Sequence, residues 1–256
     1  MNISFKRFSQ FNEDFLSTEE WAFNALQVIG PKANNRWKNW VTYQVARCIR
    51  FFRSCRLLLK AGQYPEALAL GRGILDSLLL VDWVAEKPEE NIVRVIEGST
   101  WGNRQITLKA FRDARSGKPE QQKWLQEKLD EIFSEIRPKG IPHVRQLAEN
   151  FSDKDSIGLV LYGGFYSMSS TLLHGDGGEL QYIAGFSGHK DLPFHCMPCE
   201  SEGFDSDPML DMTIMGLFEI FKVAIIRAMA LFGERIDGPP ISKEFEKWCL
   251  GVMEKS

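Results

Sequence analysis

Arg72 and Asp76 stand four residues apart in the stretch 65–86, where Leu68, Leu70, Ile74, Leu75, Leu78, Leu79, Leu80, Val81 and Trp83 fall on every side of a helix. A helix that is apolar all round is buried all round, and four-residue spacing puts the two charged groups on one face. A charge in such a setting needs a partner and hydrogen bonds. The pair therefore reads in two ways. It is either the polar centre of a pocket, with Arg72 holding an anionic group or orienting a catalytic partner, or an ion pair that fixes helix register.

A second set of reactive groups closes the next apolar segment. Tyr166, Ser170 and His174 recur every four residues and share a stripe, with Ser169 beside them. His174 precedes Gly175, which suits a left-handed cap, so the imidazole would lie at a helix C-terminus. It is a candidate general acid or base with hydroxyl neighbours; the alternative is a histidine that only caps the helix.

The third feature is a run of charge. Residues 21–65 contain no Asp or Glu but hold Lys32, Arg36, Lys38, Arg47, Arg50, Arg53, Arg56 and Lys60. With 31 basic residues in the chain, eight of them here, 23 remain elsewhere against 34 acidic ones. Helical spacing puts Arg36, Arg47 and Arg50 near one face, and Arg53, Arg56 and Lys60 near an adjacent one. Trp37, Trp40, Tyr43, Phe51 and Phe52 are interleaved. Cations with aromatic neighbours suit a nucleic-acid backbone and its bases, or an acidic protein. Equally, the cations could meet acidic helices of the same chain and the aromatics could be core.

His189, His195, Cys196 and Cys199 include a Cys-x2-Cys that could ligate zinc, but no second ligand pair stands at a familiar spacing. No metal and no cofactor are expected. Phosphate-binding glycine loops and nucleophile elbows are absent from the sequence.

The elements that must position these groups are helices. Ser17-Thr18-Glu19-Glu20 has a capping-box pattern and predicts a helix start before Trp21, ended by Gly30-Pro31. A long helix is predicted over 33–61, with Gly62 at its C′ position and Pro65 in the first turn of the next, a tight helical hairpin. Further helices are predicted over 89–115, 119–136, 144–151, 155–173, 207–233 and 242–253. Residues 175–208 read as a long irregular loop, with a weak strand pattern at 180–186. The expectation is one all-α bundle of about eight or nine helices spanning 1–256, with 1–16 as an N-terminal extension.

Arg72-x3-Asp76, followed by Tyr166-x2-Ser169-x4-His174-Gly175, resembles a bacterial all-helical family known only as a domain of unknown function, in which Glu is commoner at the position of Asp76. The resemblance covers roughly 47–175. It implies an all-helical fold and a shared site of Arg72, Asp76, Ser169 and His174, and supplies no reaction. More distantly the chain resembles HEPN domains, helical bundles that include toxin and antiviral ribonucleases. Their signature is an Arg followed by four to six residues and then a His; here Ser167, Met168 and Ser169 occupy the positions that Arg would take.

Three functions follow as expectations. The first is a nuclease-like enzyme of toxin or defence type, with Arg72, Asp76, Tyr166, Ser169 and His174 as its catalytic set. The second is a non-catalytic module that binds nucleic acid or an acidic protein through Arg36, Arg47, Arg50, Arg53 and Arg56. The third is a homo-oligomeric scaffold joined through the apolar helix 207–233. The odd number of cysteines, five in all, and the lack of a signal-like N-terminus point to a cytoplasmic protein. No apolar run is of membrane-spanning length.

Overall fold

The computed structural model describes residues 6–114, 118–134, 140–151 and 208–253. These form α1 (Lys6–Ile29), a 3-10 turn (Gly30–Lys32), α2 (Arg36–Lys60), α3 (Tyr64–Glu86), α4 (Pro88–Ala114), α5 (Pro119–Ser134), α6 (Val144–Glu149), α7 (Pro208–Leu231) and α8 (Lys243–Met253). The fold is all-α, with no strand among the described residues. None of the described helices is long and apolar enough to cross a membrane.

The chain divides into two compact units, residues 1–83 with 144–256, and residues 84–143. In the first, α1, α2 and α7 pack on one another around a column of rings. Phe52 of α2 lies between Phe15 of α1 (4.9 Å between ring centres) and Phe221 of α7 (4.0 Å), both stacked near parallel. Phe245 of α8 meets Phe218 edge-on at 4.9 Å. Such rings bury large apolar areas and add specific geometry.

α1 begins well before the start predicted at Ser17. Phe8, Phe11 and Phe15 recur at helical spacing and are all buried, so their burial carries the helix through the cap-like residues. Inside the helix, the Ser17 and Thr18 hydroxyls donate to the Asp14 carbonyl at 3.1 and 2.7 Å. Asp14 itself is buried and anchors the cap of a different helix, where the Ser242 hydroxyl accepts from the Phe245 N–H at 3.1 Å. Its carboxylate accepts from the Ser242 backbone N–H at 2.6 Å and from the Ser242 hydroxyl at 3.1 Å, just ahead of α8.

The hairpin between α2 and α3 follows the sequence closely. Asn35 caps α2 by accepting from the Lys38 backbone N–H at 2.9 Å. At the other end Gly62 takes φ 80°, and the Gln63 N–H donates to the Leu58 carbonyl at 2.8 Å, closing a Schellman turn. The apolar residues of α7 are largely consumed inside the unit: Ile214, Leu217, Phe218, Ile220, Phe221, Ile225 and Met229 are all buried.

In the second unit α4 and α5 pack together through buried Ile92, Val95, Leu125 and Leu129. Arg112 donates to the Gln126 side-chain oxygen at 3.0 Å across that interface. Arg94 donates to the Gly140 carbonyl at 2.8 Å, holding the segment after α5.

Candidate functional site

α3 lays its chemistry against α2 through a close approach. The backbone at Gly73 faces the Phe51 ring so tightly that a Cβ there would sit 2.3 Å from a ring carbon. One turn on, the buried Ser77 hydroxyl donates to the Gly73 carbonyl at 2.8 Å. The absence of a side chain at Gly73 thus leaves room for the Phe51 ring, less than one turn of α3 from Asp76.

Arg72 and Asp76 form the expected i,i+4 pair, but it is loose and half-buried. Nε and Oδ2 lie 3.8 Å apart, and the side chains are 21% and 31% exposed. The setting is less apolar than the sequence predicts, so the pair is neither sealed in a core nor free in solvent. The other carboxylate oxygen of Asp76, Oδ1, is buried and finds no hydrogen-bond partner among the described residues. Burial pushes the Asp76 carboxyl above the ordinary aspartate value; the Arg72 guanidinium, and then that of Arg47, act against this rise without cancelling it.

Arg47 therefore belongs to the surroundings of Asp76, a link across two helices that the sequence did not reveal. Its guanidinium lies 5.0 Å from the centre of the Phe51 ring and 3.5 Å from the Gln44 side-chain oxygen. The ring pressed on Gly73 is thus the ring under Arg47. The signal in the sequence was Gly71-Arg72-Gly73, small residues flanking an arginine, but their partner helix could not be read from spacing.

The remaining arginines of α2 divide in two. Arg53 and Arg56 both bind Glu19 of α1. Arg53 pairs with Oε1, and Arg56 Nε lies 3.4 Å from Oε2. Arg56 also donates to the Asn12 side-chain oxygen at 3.3 Å, and its side chain is only 12% exposed. For these two, the structure realises the sequence alternative in which cations meet the chain's own carboxylates. Arg36 and Arg50 are exposed, and among the described residues neither makes an ion pair.

Burial pushes the thiols of Cys48 and Cys55 up to about 12 and that of Cys249 up to about 11. None of these three is a thiolate nucleophile near neutral pH. Among the described residues no cluster of His, Cys, Asp or Glu could hold a metal ion. Tyr166, Ser169 and His174 lie outside the described residues, as do His189, His195, Cys196 and Cys199.

The model of a family of unknown function, DUF5677, matches residues 38–190. No curated protein and no solved structure matches the chain. The match covers more than half of the chain and spans α2, α3 and the segment that carries His174, so the chain belongs to that family.

Proposed function

We propose that this member of the family of unknown function is a nuclease-like enzyme that cleaves phosphodiester bonds at Asp76. The observation that carries the reading is Asp76 itself: a half-buried carboxyl, pushed toward its protonated form, with one oxygen unpartnered among the described residues and two guanidiniums near it. A carboxyl that keeps its proton closer to neutral pH suits a general acid. Arginines beside it suit the non-bridging oxygens of a phosphate and the charge that grows on them during displacement.

In this reading His174 takes the proton from the attacking hydroxyl as that oxygen bonds to phosphorus. The bond to the leaving oxygen breaks, and Asp76 gives that oxygen its proton. Arg72 and Arg47 hold the phosphoryl oxygens throughout. Tyr166 and Ser169 are hydroxyl donors that orient substrate. The family match supports grouping these residues, because all of them fall within its span.

The test is cleavage of labelled RNA and DNA oligonucleotides by the full chain, with D76N and H174A variants checked for folding by circular dichroism. Cleavage by the wild type, reduced by about 100-fold or more in each folded variant, is expected for loss of an acid or a base. Unchanged turnover in either variant, or a folded wild type that cleaves none of the substrates, contradicts the reading. Growth arrest on expression that H174A relieves would support the toxin-type assignment.

A further inference from the structure

Seven residues make almost two turns of helix, so Arg36, Tyr43 and Arg50 point in nearly the same direction from α2. All three are exposed, Tyr43 by 55%. Arg36 and Arg50 make no ion pair among the described residues, which leaves their donors available. Between Arg36 and Arg50 the helix advances about 21 Å, and no acidic residue lies on that length of α2. Arg47 sits one turn from both Tyr43 and Arg50, on the edge of this face that turns toward α3, where it acts on Asp76.

The acid-free face is bounded. Further along α2, Arg53 borders a groove lined by Glu13, Glu19 and Glu20 of α1, which repels phosphate. The first half of α2 is thus the part that offers unspent positive charge and an exposed ring together.

We propose that single-stranded nucleic acid lies along this half of α2, with Arg36 and Arg50 on its phosphates and the Tyr43 ring stacked on a base, and that Arg47 is where the strand reaches Asp76. The inference rests on the reading of Asp76 as the reacting centre, and gives that centre its substrate class. Guanidiniums alone would serve an acidic peptide equally well. An exposed aromatic ring in line between them serves a strand with unstacked bases.

Binding separates this inference from the proposed cleavage. The full chain carrying D76N, which prevents turnover, is titrated into short fluorescein-labelled oligouridine, oligothymidine and a duplex of equal length, followed by anisotropy. Tight single-strand binding is expected. R36A/R50A should weaken it by about tenfold or more and reduce the salt slope by about 1.4, at about 0.7 for each phosphate left without its arginine. Y43A should weaken it by about fivefold or more, the lower end of base stacking on an aromatic ring. K243A/K247A on α8 removes the same charge elsewhere and should leave binding unchanged.

Equal binding by R36A/R50A, equal weakening in K243A/K247A, failure of the folded chain to bind any single strand, or displacement by polyglutamate as readily as by unlabelled strand would each overturn it. If the strand binds through Arg36 and Arg50 but the wild type cleaves nothing, the reading of Asp76 fails and the binding face stands. If cleavage occurs but R36A/R50A leaves its KM unchanged, the face fails and Asp76 stands.

Discussion

α2 carries two kinds of arginine on adjacent faces. Toward α1, Arg53 and Arg56 share the buried carboxylate of Glu19, and Phe52 stacks between Phe15 and Phe221. Toward α3 and solvent, Arg47 shares a half-buried carboxyl that keeps an unpartnered oxygen, and Arg36 and Arg50 make no ion pair among the described residues. The same residue type holds the helices together on one face and is left available for a ligand on the other. What decides is the carboxylate each meets: one fully engaged by two guanidiniums, the other incompletely satisfied. A charge that is fully paired contributes to the fold, whereas one held in an unsatisfied setting is a candidate for chemistry.

The contrast can be broken most forcefully at the ring column. Phe52→Ala should lower unfolding free energy by about 3–5 kcal/mol in urea titrations, because it removes the ring at the centre of two stacks. A loss below about 1 kcal/mol would mean that the α1 face is not the structural one. Glu19→Gln should cost about 3 kcal/mol by the same measurement, since Arg56 then stays buried without a countercharge. Arg53→Ala should cost less than about 1 kcal/mol, because that side chain is 55% exposed.

On the other face the effects on stability are smaller and the effects on function larger. Gly73→Ala must displace the Phe51 ring and with it the support under Arg47. The helix-propensity gain of alanine, about 1 kcal/mol, offsets part of the overpacking cost of about 1–3 kcal/mol. A net loss of about 1 kcal/mol is expected, with a drop in cleavage out of proportion to it; full activity at wild-type stability would show that the close approach is unimportant.

Asp76→Asn should have the opposite sign. The folded-state value of Asp76 is raised, so its contribution to stability is fully present below the unfolded value and is lost as pH rises through the folded one. As pH rises above the ordinary aspartate value this group therefore costs stability, and at neutral pH the asparagine should raise the melting temperature by about a degree or two. That gain should vanish on acidification. A variant less stable than wild type at pH 7 would show that Asp76 is a structural ion-pair partner like Glu19.

Local signals in the sequence translated directly. Gly62 ends α2 and Pro65 opens α3 because a positive φ and a missing N–H are properties of single residues. The capping-box pattern at Ser17 misplaced the start of α1, because three phenylalanines upstream pack against distant helices and tertiary burial outweighs a local cap. The Arg72–Asp76 pair was legible from spacing. Its half-exposure was not, because exposure depends on which helices cover that face. The partners of Arg47, Arg53 and Arg56 come from other helices, at separations of 29, 34 and 37 residues for Asp76, Glu19 and Glu19. Charge counting showed that the stretch lacks acids and could not say which arginines would find one.

The difference between the two faces rests on the state of one carboxyl, and a 13C NMR titration of Asp76 in the full chain reads it directly. The midpoint should lie above the ordinary aspartate value, and Arg47→Ala should raise it further by removing a charge that opposes the rise. A midpoint at or below the ordinary aspartate value, or one that Arg47→Ala leaves in place, would contradict the account.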